Sequence, residues 1–256
     1  MITLSIVSHR QAPLVATLLD DLAGIASPLV ASIIVTRNVE EPTLAWPASL
    51  ATRIVTIANA SPRGFGANHS AAFARCTTPY FAVMNPDLRL PTDPFPALVA
   101  AFDSRRGSRT FTRDSTLRTG LVAPRIVSPS GAPEDAARVL ITPLELLRRL
   151  AGARTAPTNP DWLAGMFFLV ASDAFRAVGG FDERYFMYCE DFDLCARLRL
   201  SGWSFRVVDE ASVVHAAQRA SHRSFLHLRW HLTSFAKMWA SATFWRYRRM
   251  LDTAAR

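Results

Sequence analysis

The sequence has a single lysine, Lys237, and that scarcity removes one class of nucleotide-handling enzyme at once. A nucleotidyltransferase on an α/β core needs a glycine-rich lysine loop early in the chain, and no lysine precedes residue 237. Cysteine is also scarce. Cys76, Cys189 and Cys195 are odd in number and lack the paired short spacings of a zinc site or a disulfide framework, so reduced, mostly buried thiols are expected. No uninterrupted apolar run is long enough to cross a bilayer, and Met1 to Ser8 lacks the basic and apolar regions of a secretory signal. The expectation is a cytoplasmic protein. No glutamine, serine or glycine tract dominates and no repeat recurs at a solenoid or propeller period, which argues against disorder and repeat architectures.

What is present is a chain of 256 residues, half of them hydrophobic, enough for one sizeable α/β domain with a helical appendage. The net charge is +8, and its location matters more than its size. From Arg219 onward the basic residues Arg219, Arg223, Arg229, Lys237, Arg246, Arg248, Arg249 and Arg256 face the single acid Asp252. The body before them is nearly neutral.

Ile2 to Ser8 is an apolar, β-branched run, followed by a helical pattern through Leu14, Leu18, Leu19 and Leu22 to Gly24. Ile33 to Val35, Ile54 to Ile57 and Tyr80 to Met84 read as further strands, with a short helix over Asn68 to Cys76. Short apolar strands alternating with helices imply a parallel sheet covered on both faces. Such sheets bind ligands at the carboxyl ends of their strands. Polar residues just beyond those ends are therefore candidates: Thr36-Arg37-Asn38, the loop Gly64-Phe65-Gly66-Ala67-Asn68, and Asn85-Pro86-Asp87.

Asp87 follows an apolar strand through a stiff proline turn, where a carboxylate can serve a hard divalent cation that takes its remaining ligands from phosphate. The longest constellation is Gly179-Gly180-Phe181-Asp182-Glu183-Arg184-Tyr185-Phe186-Met187-Tyr188-Cys189-Glu190-Asp191-Phe192-Asp193-Leu194-Cys195. Ser172-Asp173 can cap a helix ending at Gly179, and Glu190-Asp191 then starts another that runs through Leu198 to Ser201-Gly202. A helix start keeps a carboxylate ionised, as a general base requires, although simple capping needs no more. His69 reads as a helix-surface or core residue, and a lone histidine such as His215 becomes a ligand only if it converges on Asp87.

Taken together, Trp162 to Gly165, Gly179 to Glu183, Phe186 to Tyr188, Glu190 to Cys195, Arg197-Leu198 and Gly202-Trp203 resemble glycosyltransferase family 2, with bacterial rhamnosyltransferase-like members nearest. The glycine loop at 64–68, Asn85-Pro86-Asp87, Val213-Val214-His215, Ser221 and Arg223 follow that family's order, so the likeness runs from about Leu4 to Arg223. It implies a GT-A fold: a Rossmann-like, mixed but mainly parallel sheet flanked by helices. A donor-binding half at 1–127 and an acceptor and catalytic half at 160–218 would make one domain of 1–218, with 219–256 appended.

The resemblance also implies roles. Asp191 matches the catalytic base and Glu190 an orienting neighbour. Ser8, Asn38, Gly66, Asn68, Asn85, Asp87, Ser221 and Arg223 match donor contacts. Trp162, Gly165, Asp182 and Tyr188 match an acceptor wall, and Asp87 with His215 a site for Mg²⁺ or Mn²⁺. The implied reaction is inverting transfer of a sugar, rhamnose from dTDP-rhamnose, to a lipid-linked or cell-surface glycan. One departure stands out: the aspartate that family members carry after the second strand is absent from Val35-Thr36-Arg37-Asn38-Val39-Glu40, with Asn38 or Glu40 as replacements. A degenerate sugar-nucleotide-binding or membrane-associated protein is the alternative.

The basic end carries apolar residues at Leu228, Leu232, Phe235, Trp239 and Ala242, one helical face, beside Trp230, Trp245 and Tyr247. That composition suits either a solvated helix packed on the domain or an amphipathic segment lying on anionic lipid at the inner face of the plasma membrane. No nucleic-acid-binding module is visible.

Overall fold

Alternation along each strand decides which side chains face which layer of helices. In the computed structural model, which describes residues 1–42, 45–103, 109–110, 117–152, 160–216 and 225–254, the apolar strands assemble into one nine-stranded sheet. Ile2–Ser8 (β1), Val30–Arg37 (β2), Ile54–Ala58 (β3) and Tyr80–Met84 (β4) run parallel in the order β3-β2-β1-β4. Ala12–Ile25 (α1) and Phe65–Phe73 (α2) lie between them in sequence. Leu88–Arg89 (β5), Phe95–Asp103 (α3) and Arg109–Thr110 (β6) lead to Arg118–Val127 (β7). Ala137–Arg138 (β8) pairs with Trp162–Leu163 (β9) as a separate ribbon, with Pro143–Leu150 (α4) between them in sequence.

Phe167–Ala171 (β10) then inserts antiparallel between β4 and β7. Ser172–Ala177 (α5) and Glu190–Leu200 (α6) precede the long Trp203–His215 (β11), which runs parallel to β7 and antiparallel to β5 and β6. A register shift between Val208 and Ser212 bulges β11 and lets it continue to the same rim as the end of β4. Phe225–Ala240 (α7) and Ala242–Ala254 (α8) close the described chain.

Ile33, Val35, Ala82, Met84, Phe167 and Leu169 point into one buried cluster, with α1 and α3. Their neighbours Ile34, Phe81, Val83, Phe168 and Val170 point into the other, with α6 and α8. Covering both faces explains why these strands read as continuous apolar runs. Each fully buried large side chain contributes roughly 1.5–3 kcal/mol relative to exposure.

Three local expectations change. The α2 helix begins at Phe65 with Gly64 as its extended N-cap, so the glycine loop is the helix's first turn. Ser172 does not cap α5; its hydroxyl donates to the Thr78 carbonyl at 2.7 Å. The basic end is two helices broken at Ser241, whose Oγ accepts the Phe244 N–H at 3.1 Å. Leu228 and Leu232 face outward as expected, but Phe235 and Trp239 turn inward, and the Trp239 indole N–H donates to the Ile141 carbonyl at 2.8 Å. An indole N–H inside a protein needs an acceptor, and here the neighbouring chain supplies it. Cys76, Cys189 and Cys195 are free thiols, and His69 is buried in the core.

Candidate active site

Because β1, β2 and β4 are parallel neighbours, Ser8, Asn38 and the Asn85-Pro86-Asp87 turn emerge at one edge of the sheet. Ser8 Oγ donates to Glu41 Oε2 at 2.7 Å and accepts the Gln11 N–H at 3.2 Å. A cavity of about 120 Å³ opens there between Ser8, Arg37, Glu41, Trp46 and Thr56. The carboxylate beside Ser8 is thus Glu41.

Asn38 is buried and its amide is committed to the loops after β1 and β3. Its Oδ1 accepts the Arg63 N–H at 2.8 Å and Asn59 Nδ2 at 2.9 Å, and its Nδ2 donates to the Arg63 carbonyl at 2.9 Å. Asn68 completes this knot, accepting Asn59 Nδ2 at 2.7 Å. These amides shape the wall of the site. Gly66 serves packing: a Cβ there would lie 2.7 Å from Cβ of Phe181. Gly64 is held equally close to the Phe186 backbone, and the Phe65 N–H donates to the Phe186 carbonyl at 2.8 Å.

The acidic centre sits where β10 returns beside β4. The Asn85 N–H donates to the Met166 carbonyl at 2.9 Å, and the preceding Gly165 N–H donates to Asp191 Oδ2 at 3.0 Å. Asp191 Oδ1 accepts the Phe192 N–H at 2.8 Å, so both carboxylate oxygens are aimed by backbone donors at the start of α6. Burial raises the Asp191 pKa, while the nearby Arg138 charge and these backbone donors pull it down, leaving it raised. Glu190 is 5 % exposed and its Oε2 has no hydrogen-bond partner among the described residues. Burial, and then the charge of Asp191, push the Glu190 carboxyl well above its ordinary pKa.

The backbone entering α6 is held unusually. Tyr188 and Cys189 are consecutive non-glycine residues with φ of 72° and 67°. Such conformations cost of order 1–3 kcal/mol each and persist only where surroundings fix them. Here α7 does so. The Tyr188 hydroxyl lies 2.6 Å from His227 Nδ1, its ring stacks on His231 with centroids 3.5 Å apart, and Ser234 Oγ donates to the Met187 carbonyl at 2.7 Å.

A third cluster closes the rim. His215, at the end of β11, sets Nε2 3.2 Å from Asp87 Oδ2 and Nδ1 2.9 Å from Glu134 Oε2. The hydrogen bond to Asp87 raises its pKa to about 9, burial opposes this, and Glu134 adds to the rise. Among the described residues no group of three or more His, Cys, Asp or Glu side chains is arranged as a cation cage. Asp87 Oδ1 is nevertheless buried without a hydrogen-bond partner among those residues. A carboxylate oxygen left open next to an imidazole is a donor set that fits Mg²⁺ or Mn²⁺ completed by diphosphate oxygens.

Of the acceptor residues, Gly165 and Tyr188 flank Asp191, but Trp162 does not line the site. It is 3 % exposed, its indole N–H donates to the Val139 carbonyl at 2.9 Å, and Arg138 covers its ring. Asp182 is held by Arg184, with Nη2 to Oδ2 at 2.6 Å. Ser221 and Arg223 lie outside the described residues. Sequence reasoning passed over Glu41, Glu134, Arg138 and His227. The run Ser128-Pro129-Ser130-Gly131-Ala132-Pro133 was the available signal for Glu134 and Arg138, because a turn-rich stretch directly after a strand marks a rim loop. A larger cavity, about 720 Å³, opens elsewhere, at the ends of β4, β7 and β10 marked by Tyr80, Arg118 and Ala171. None of the residues of the acidic centre or of the His215 cluster lines it.

No family model matches the chain. Over 79 residues it is 48 % identical to rhamnosyltransferase WbbL of Escherichia coli K12, a match covering 30 % of this chain and 30 % of that protein. Over 123 residues it is 34 % identical to the N-acetylglucosaminyl-diphospho-decaprenol L-rhamnosyltransferase of Mycobacterium tuberculosis H37Rv, covering 41 % of this chain and 40 % of the relative. The matches thus span less than half the length of these relatives. Among solved structures, GalNAc-T7 with UDP, GalNAc and Mn²⁺ superposes with a TM-score of 0.61 at 15 % identity, covering 86 % of this chain and 44 % of that one. The mannosyltransferase PcManGT from Pyrobaculum calidifontis, with GDP-Man and Mn²⁺, gives 0.54 at 14 % identity, covering 99 % and 74 %. The fold is the GT-A fold of glycosyltransferases, and the sequence is similar to bacterial rhamnosyltransferases.

Proposed function

We propose that the chain is an inverting glycosyltransferase that moves a sugar, rhamnose from dTDP-rhamnose, onto a lipid-linked glycan acceptor, with Asp191 as its base. The observation that carries this reading is the short backbone link between the two centres. Asp191 is bonded to Gly165, and the adjoining Met166 is bonded to Asn85 at the turn that carries Asp87, so the base and the candidate cation site share one rim. Inversion needs one carboxylate to take the acceptor's hydroxyl proton as its oxygen attacks the anomeric carbon opposite the departing diphosphate. Asp191 suits that task because both its oxygens are oriented by N–H donors and its neighbour Glu190 is biased toward the neutral form. Asp87 and His215 would hold the divalent cation, which supplies charge stabilisation to the departing diphosphate.

The donor reading is supported by the relatives named rhamnosyltransferases and by the small cavity next to Glu41, whose carboxylate can accept the imide N–H of a thymine ring. The acceptor reading is supported by the mycobacterial relative, whose name carries a lipid diphosphate. Among the described residues no helix is long and apolar enough to cross a membrane. The outward side of α7 supports contact with an anionic membrane surface instead: Phe225, Leu228 and Leu232 are 83 %, 53 % and 59 % exposed, with Arg229 beside them.

The test is Asp191→Asn, assayed for release of nucleoside diphosphate with a panel of sugar donors and for donor binding by calorimetry. Turnover is expected to fall by about 10²–10⁴-fold with donor binding retained. Near-normal turnover would remove Asp191 from the base role.

A further inference from the structure

We propose that Glu134 is a positioning residue that fixes the imidazole of His215 for cation binding, an inference that rests on the metal-dependent reading above. A neutral imidazole carries its proton on one ring nitrogen and a lone pair on the other. An ionised carboxylate can only accept, so Glu134 Oε2, 2.9 Å from Nδ1, selects the form with hydrogen on Nδ1. Nε2 itself donates to Asp87 Oδ2 at 3.2 Å, so a cation binds by displacing that proton and taking the Nε2 lone pair. On the same side Asp87 Oδ1 is the buried oxygen without a hydrogen-bond partner among the described residues. The Asp87 carboxylate thus meets the Nε2 edge of the ring, while Glu134 grips the Nδ1 edge.

Glu134 is placed by rigid structure. Its N–H donates to the Ile126 carbonyl in β7 at 3.0 Å, its carbonyl accepts the Ala136 N–H at 2.8 Å, and Pro133 bridges back to Val127. The same segment continues to Ala136, whose carbonyl accepts the Ala164 N–H at 2.7 Å next to Gly165, and to Arg138, whose charge acts on Asp191. One loop thus serves both centres. A carboxylate that orients a ligating histidine is worth about 10–100-fold in metal affinity.

The experiment titrates Mn²⁺ into the full chain saturated with dTDP and reads free Mn²⁺ by electron paramagnetic resonance. Glu134→Ala is expected to weaken Mn²⁺ binding by about 10–100-fold, with Glu134→Gln, which keeps an acceptor, falling between it and the wild type. His215→Ala is expected to weaken it at least as much, and adding Glu134→Ala to that variant to cost nothing further, because Glu134 acts only through the ring. Unchanged affinity in Glu134→Ala overturns the inference. So do additive losses in the double variant, which would make Glu134 a ligand in its own right. If the wild type itself takes up no Mn²⁺ with dTDP or UDP, the metal-dependent reading fails and carries this inference with it; in the other two outcomes that reading survives. Circular-dichroism melts confirm that each variant titrated is folded.

Discussion

Buried polar side chains at the sheet's centre make the sharpest residue-scale demands. His69 sits on α2 with Nδ1 2.8 Å from Ser5 Oγ on β1, and its Nε2 has no hydrogen-bond partner among the described residues. Burial lowers its pKa from 6.5 to about 3. The folded state keeps His69 neutral while the unfolded chain takes up a proton below pH 6.5, so its contribution is constant above that pH and is lost as the pH falls. The loss is about 1.4 kcal/mol per pH unit. Buried carboxyls with raised pKa, such as Asp161 and Asp193, act in the opposite sense in acid, so the wild type must be compared with His69→Leu. In urea unfolding, the stability difference between the two proteins is expected to move by that slope between about pH 6.5 and pH 5. A difference independent of pH would mean that His69 takes up its proton as readily in the fold as in the unfolded chain. Gly66→Ala meets a harder obstacle, because the added carbon would lie 2.7 Å from Cβ of Phe181, an atom fixed to the backbone. It is expected to destabilise the fold by about 1–3 kcal/mol, read as a lower urea midpoint with an unchanged slope.

Among the elements, α7 does two jobs with two faces. Its inner side, through His227, His231 and Ser234, grips the strained backbone before Asp191, and its outer side exposes Leu228 and Leu232. Changing both leucines to aspartate should therefore leave thermal stability within about 0.5 kcal/mol, since neither is buried. Sedimentation with anionic vesicles is expected to drop, and undiminished sedimentation would exclude this face from lipid contact.

The limits of sequence reading are clearest at this scale as well. Strands β1 to β4 and α6 were legible because apolar runs and acidic helix starts leave local marks. The division of α7 between inward and outward faces was not, because Trp239 turns toward the Ile141 carbonyl, a contact 98 residues away in sequence. Helix α4 was legible in principle: Thr142 accepts the Glu145 N–H at 3.1 Å, the start of a capping box that the letters Thr-Pro-Leu-Glu spell out. Of the candidate site, Asp87, Asp191 and His215 were expected from residue type and order, and Asp87 and His215 do meet. Glu41 and Glu134 escaped because each acts from a loop whose end point depends on the finished sheet. Trp162 misled for the opposite reason: next to the site in sequence, it is buried by packing against Phe192.

Across the whole molecule, charge and architecture divide the work. The net +8 is concentrated beyond residue 218, away from the acidic centre in sequence, while the rim of the sheet gathers Glu41, Asp87, Glu134 and Asp191. Such a rim is suited to a cation rather than to a bare phosphate. Strand β10 has a mechanical consequence. Wedged antiparallel between β4 and β7, it locks the segment bearing Gly165 to the turn bearing Asp87. The proposed base and the proposed cation site are therefore tied through two hydrogen bonds, Gly165 N–H to Asp191 and Asn85 N–H to the Met166 carbonyl. Pulling the two apart would mean tearing one of them, so any yielding of this edge is expected first in the loops to either side.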